Sequence, residues 1–384
     1  MTGRNIMQYL PEVDVTGIDE ILADWQARHP QMGVCALLPE AGKEGVAVIQ
    51  AACTRRGIPL AGAIFPELIH DEKFCRSGIW LLCLPEMPYF LLVENLPTEQ
   101  AGVERTVKEI AANIREQLDH TPEVTLFMLF DAMVPNISTI LDNLYLQLAN
   151  RVSYAGGNAG SETFQPMPCL FDGQRIVQNG LLLMLLKHHH GAILEHGYHA
   201  PDHTVYATST EGNRISQIDW RPAFDVYQEL VRNKYGVEIT PENFYEYAVH
   251  FPFGIVRANH HVVVRIPVML TEDGSLFCVG EVPPNALLTL LQAPAVDSTE
   301  TLGMLNKGLL SLNGGPVGAE LLLLYCAGRR MHLGIDAATG ELREFAKLTK
   351  AQITAGALSL GEIGGSTVHG YPLFHNAALV ASFW

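Results

Sequence analysis

The chain has 384 residues, more than one hydrophobic core usually serves, and a prior of about 150 residues per domain points to two domains. Its 25 basic against 41 acidic side chains give a formal charge of −16, which repels nucleic acid and anionic membrane faces, so neither is an expected partner. With 48% hydrophobic and 17% charged residues, it has material for buried cores and not the composition of a disordered chain. Seven cysteines without a C-x-x-C pair argue against a disulfide framework or a zinc ribbon and fit a reducing compartment. The amino terminus reaches Pro11, Glu12 and Asp14 before a secretory h-region forms, and no run approaches the about 18 apolar residues of a membrane helix. A soluble, cytoplasmic protein is expected.

Ile18, Ile21, Leu22 and Trp25 recur at helical spacing behind Thr16, a candidate N-cap, and predict an amphipathic helix. Residues 32–38, 45–56 and 58–65 predict strand, helix and strand, an order that favours parallel pairing. That unit lacks G-x-G-x-x-G, and Gly42-Lys43 lacks the spacing of a P-loop, which removes the usual arguments for nucleotide binding. Residues 79–84 and 89–94, joined by Pro85-Glu-Met-Pro88, predict an antiparallel hairpin. Residues 98–118, with Val103, Val107, Ile110 and Ile114 on one face, predict a long helix, 124–130 a strand, and 136–150 a further helix.

Residues 151–214 concentrate unusual chemistry. Gly156, Gly157 and Gly160 permit a turn, or a close approach to a ligand or a neighbouring backbone. Residues 180–186 are apolar at every position and predict a strand buried on both faces. Six of the fifteen histidines (His188, His189, His190, His196, His199 and His203) then fall within sixteen residues.

From Trp220 the texture changes, which places a domain boundary between residues 1–219 and 220–384. Residues 222–234 and 240–247 predict helices. His260, His261 and the alternating 262–267 start a strand set that 275–282 continues, and Pro283-Pro284 breaks it before a short helix. Residues 304–312 predict a helix, 320–327 and 331–335 a hairpin across Gly328-Arg-Arg330, 356–363 a strand, and 377–384 a closing strand. The fold class is mixed α/β: two sequential domains with mixed sheets flanked by helices.

Several segments, taken in order, carry a resemblance: Pro59-Leu-Ala-Gly-Ala63, Tyr154-Ala-Gly-Gly-Asn-Ala-Gly160 and Phe171-Asp-Gly173 in the first half; Gly212-Asn213-Arg214, Arg221-Pro-Ala223, residues 321–330, Gly356-Ala-Leu-Ser-Leu-Gly-Glu-Ile-Gly364 and Phe374-His-Asn376 in the second. Together they resemble the FIST family, an intracellular ligand-sensing domain pair, with an N-type domain before Trp220 and a C-type domain after it. The resemblance implies a sensory module without catalysis that passes its state to a partner such as a histidine kinase or a cyclic-dinucleotide signalling enzyme; association of copies is left open. The histidine cluster favours a branch of stand-alone FIST proteins, called NosP, which bind haem and report nitric oxide to a kinase.

Haem iron is commonly held by one proximal imidazole. His196 and His199 rank first as ligands to haem b or to a metal ion, then His188 and His261, with Tyr198 sharing one strand face with His196 and Arg214 available to a propionate. A FIST sensor without haem is the alternative: Gly156, Gly157, Gly160, Gly361, Gly364 and Gly365 line a pocket for an amino-acid-like metabolite, Arg214, Arg221 or Arg330 receives its carboxylate, and Glu362 its amine. A metal-dependent hydrolase built on His196, His199 and His203 or Cys169 lacks the acid of H-E-x-x-H, and Ala357-Leu-Ser359-Leu-Gly361 only approximates G-x-S-x-G.

Overall fold

A computed structural model describes residues 5–118, 123–257, 261–294, 299–312, 315–365, 367 and 370–384. Three strand–helix–strand units organise it. Gly33–Pro39 leads through the helix Gly45–Arg56 into Leu60–Phe65; Val124–Asp131 leads through Ile137–Leu148 into Ser153–Ala159. Glu320–Cys326 leads through Ala327–Leu333 and Ile335–Thr349 into Ile353–Ser359. In each unit the two strands pair in parallel, the geometry that a crossover helix imposes. Each parallel pair sits inside its own six-stranded mixed sheet.

Side-chain alternation decides what each sheet face covers. Phe127, Leu129, Leu182, Met184 and Leu186 face a central core shared with Leu322, Leu324, Ala355 and Ala357. Leu126, Met128, Phe130, Leu181, Leu183 and Leu185 face the opposite way, under Ile110 and Ile114 of the helix Gln100–Gln117 and Leu141 and Leu144 of Ile137–Leu148. The sheet of Glu320–Cys326 repeats the scheme, with Leu321, Leu323 and Tyr325 packed under Leu342 and Phe345.

The sheets also exchange strands between the two halves of the chain. Leu68–His70 joins the sheet of Ile353–Ser359, and Ala192–Glu195 pairs with the closing strand Leu379–Phe383. Glu362–Gly364 pairs back onto Ser153–Ala159. Two smaller antiparallel sheets, built from strands between Val205 and Leu290, enclose a separate core with Tyr227, Phe253, Leu276 and Leu288.

The elements differ from expectation at identifiable places. Ile79–Leu84 and Phe90–Val93 are strands but not a hairpin: the first pairs with Met7–Leu10 and Gly33–Pro39, the second with Leu181–Lys187 in another sheet. The Pro85–Pro88 stretch carries the chain between sheets. Residues 331–333 are helical, because the chain turns from strand to helix at Cys326, and the helix Ile335–Thr349 follows where none is expected. Among the described residues Pro283-Pro284 leads into the strand Leu287–Leu290 rather than a short helix, and the next helix is Glu300–Leu310. The first helix is capped by Asp14, whose carboxylate accepts from the Gly17 N–H, rather than by Thr16. His260 lies outside the described residues.

Gly156 and Gly157 lie inside a strand. A Cβ on Gly156 would stand 1.8 Å from the Met128 carbonyl oxygen, and its φ of 148° disfavours a side chain as well. Gly156→Ala is expected to cost about 3 kcal/mol or more. Gly173→Ala, where nothing lies within 4 Å, should stay within about 0.5 kcal/mol. Urea unfolding of the two variants checks the contrast.

Candidate functional site

The carboxyl ends of the parallel strands Val124–Asp131 and Ser153–Ala159 border one cleft. Ala132, Met133 and Val134 follow Val124–Asp131, Asn158 closes Ser153–Ala159, and Thr163 and Phe164 follow it. Phe374 completes this wall, and Asn213, Tyr245, Val268, Met269, Phe277, Val279 and Gly280 of the smaller sheets stand opposite. The hollow between them measures about 350 Å³. A smaller neighbour of about 50 Å³, sharing Phe164, Tyr245, Val268 and Val279, reaches Cys326, Gly328, Leu360 and Asn376. The outer ends of parallel strands are where open α/β sheets receive ligands.

Asn158 is held on both sides by backbone. Its N–H donates to the Gly361 carbonyl at 2.8 Å, and its own carbonyl accepts from Leu360 N–H at 3.0 Å. Glycine is required around it: a Cβ on Gly157 would meet the Gly361 oxygen at 2.8 Å, and one on Gly361 would strike the Phe374 ring at 2.4 Å. The Asn158 carboxamide is 0% exposed, and neither its nitrogen nor its oxygen has a hydrogen-bond partner. Asn376 is 1% exposed; its Oδ1 accepts from Ile266 N–H, while its Nδ2 has no partner. Leaving such groups unmade costs about 1–3 kcal/mol each.

Two residues fasten the smaller sheets across the cleft. Glu281 accepts from the Thr139 N–H at 3.0 Å and the Thr139 hydroxyl at 2.5 Å, which caps the helix Ile137–Leu148 from outside its own segment. Arg265 is buried and donates to the carbonyls of Val264, Glu281 and Phe374 and to Ser138 Oγ. Burial pulls its pKa down to about 10.

Beside Asn158, the Ser359 hydroxyl donates to Glu362 at 2.5 Å and the Ala378 N–H reaches the other carboxylate oxygen at 3.3 Å. Burial pushes the Glu362 pKa up to about 8. On the same flank Arg329 forms a buried ion pair with Glu341, 2.6 Å at its closest, and donates to the His196 carbonyl.

The structure separates the residues singled out in the sequence. Gly156, Gly157, Gly160, Gly361 and Glu362 gather around Asn158. His196 accepts from Tyr198 N–H through Nδ1 at 3.0 Å, so its Nε2 carries the proton and faces the Val262 carbonyl at 3.3 Å; both nitrogens are engaged. Its ring lies against His375, 5.4 Å between centroids. The His199 side chain is 57% exposed, with Nε2 3.7 Å from Glu300. Tyr198 is buried with Val249, Val264 and Leu291, and His261 is exposed. Arg214 pairs with Asp273, Arg221 with Glu229, and Arg330 with Glu67 and Glu162.

His188 stands at positive φ on the rim of a different hollow of about 520 Å³, lined also by Met87, Tyr89, Leu186, His189 and Trp384. Cys169 is buried and His203 exposed, and among the described residues no three histidine, cysteine or acidic side chains form a metal-binding set. Ser359 bonds the Glu362 carboxyl rather than a histidine, so it is not part of a serine–histidine pair. Asn158 and Asn376 went unread in the sequence, although both stand in the segments that carry the resemblance. For Asn158 the available signal was a carboxamide inside a strand of small and apolar residues; Asn376 stands in the bend between Leu373–His375 and Leu379–Phe383, where a polar residue draws no attention.

A two-domain mixed α/β protein with a cleft at its strand ends has the form in which such folds receive small ligands. The FIST N domain model matches residues 38–221 and the FIST C domain model matches residues 223–365. The chain belongs to the FIST family, whose domains are sensory modules of signal transduction. No curated protein matches the chain. None of the helices among the described residues is long and apolar enough to cross a membrane.

The buried Glu362 gives the site a pH signature. Its folded pKa lies above the ordinary 4.5, so the folded state holds the extra proton, and stability is full below about 4.5 and falls as pH rises toward 8. Glu362→Gln should flatten that fall and leave the variant more stable at pH 8 by on the order of a few kcal/mol. Melting temperatures of both proteins from pH 5 to 9 check it.

Proposed function

We propose that this protein senses a small molecule bound in the cleft between the parallel-strand ends and the smaller sheets, and passes its occupancy to a signalling partner such as a histidine kinase or a cyclic-dinucleotide enzyme. The carrying observation is Asn158: a fully buried carboxamide with both polar atoms unpartnered, lining a hollow large enough for a metabolite. A ligand there touches both halves of the chain, so its binding energy bears on how the smaller sheets sit against the helix Ile137–Leu148.

Haem b with nitric oxide as its signal is a second reading, favoured by the 520 Å³ hollow beside His188. His188 would supply the imidazole, with Met87 and Tyr89 on the same wall. Haem bound there supplies an iron that a diatomic gas can occupy. His196, with both nitrogens engaged, does not fit as the ligand without losing a hydrogen bond.

One pair of measurements separates the readings. Pooled small metabolites should raise the melting temperature of the wild type and fail to do so in Val268→Trp, whose side chain fills the cleft. Titration with hemin should give a Soret band that moves with nitric oxide and is lost in His188→Ala if the second reading holds. A wild type that responds to neither leaves both without support.

A further inference from the structure

The geometry points to an uncharged ligand that carries a hydrogen-bond donor and acceptor side by side, as a carboxamide, a lactam or a nucleobase edge does, on a small flat apolar body. This rests on the cleft reading above and narrows it.

Among the described residues, none of the side chains that line the main hollow is charged: Asn158, Asn213 and Thr163 are its polar side chains apart from the Tyr245 hydroxyl and the Cys278 thiol. Asn213 already donates to the Cys278 carbonyl, and the Thr163 hydroxyl bonds Ser161. Asn158 alone offers a complete unpaired carboxamide, one acceptor beside one donor. Neither atom is tied, so the amide can serve a ligand edge in either orientation once the wall that closes it off from the hollow shifts aside. In the smaller hollow Asn376 Nδ2 adds a second unpaired donor, and Glu162 is the one charged side chain among its lining residues, already bound to Arg330 at 2.8 and 2.9 Å.

A zwitterionic amino acid fits this lining poorly. Its carboxylate and ammonium would be buried against aromatic and aliphatic walls with no facing counter-charge, a desolvation cost of several kcal/mol per ion. Glu362 does not relieve it, because it is not among the residues that line either hollow and its carboxyl is already bonded to Ser359 and Ala378. Phe164, Phe374, Val268 and Val279 instead provide faces for a planar apolar body.

Calorimetric titration of the full chain with benzamide, benzoate and L-phenylalanine tests this. Benzamide should bind and raise the melting temperature, while benzoate and L-phenylalanine should not. Asn158→Leu should weaken benzamide by about tenfold or more and melt no lower than the wild type, since it replaces two unsatisfied polar atoms with an isosteric apolar group. Asn158→Asp, read above the pH at which the buried carboxyl ionises, keeps acceptors but no donor and should lose benzamide as well. If L-phenylalanine or benzoate saturates the wild type and fails on Asn158→Leu, the cleft stands and the uncharged class is overturned. No binding by any of the three, or benzamide bound equally by Asn158→Leu and Asn158→Asp, also overturns it, with the cleft itself judged separately by Val268→Trp.

Discussion

Arg265 and Glu281 tie the smaller sheets to the start of the helix Ile137–Leu148 beside the cleft. The Arg265 guanidinium is buried without a carboxylate in its hydrogen bonds and is satisfied by three carbonyls and a serine hydroxyl drawn from four separate segments. Glu281 meets the helix Ile137–Leu148 at an N–H that no residue of that helix can satisfy. These contacts fix how far the smaller sheets stand from the parallel strands, and so fix the width of the cleft. Residues 265 to 281 serve both as wall and as fastening, and a ligand pressing on Val268 or Val279 acts on the same segment that carries the clamp.

The cleft floor is costly by construction. Glycines at 156, 157 and 361 let three backbone stretches approach more closely than side chains permit, and the Asn158 carboxamide sits among them unpaired. A fold that needed only stability would place leucine there. An unmatched amide beside a carboxyl whose pKa burial raises is the kind of feature that binding sites carry, and the chain belongs to a family of sensory domains.

Much of the fold was legible because hydrophobic periodicity is a local property. The run 180–186 showed a strand buried on both faces, and Leu181–Lys187 lies between two other strands with core on either side. Pairing was less legible: the two strands flanking Pro85–Pro88 are both present but go to different sheets, and local turn chemistry says nothing about which distant strand wins. At the site, glycine spacing marked the right neighbourhood, since Gly156, Gly157 and Gly361 meet across strands far apart in sequence. The histidine cluster drew attention elsewhere. Its members are spread along the chain's turns, and His189 and His196 are occupied in holding backbone, a role that composition cannot distinguish from ligation.

Hydrogen–deuterium exchange on the wild type and Glu281→Ala tests the clamp most directly. Loss of the carboxylate should speed exchange at the Thr139 amide and, together with it, across residues 276–282, while Glu320–Cys326 stays protected as in the wild type. Unchanged protection at Thr139 would show that the smaller sheets do not hold the start of that helix, and the cleft would then have no built-in connection to the rest of the molecule.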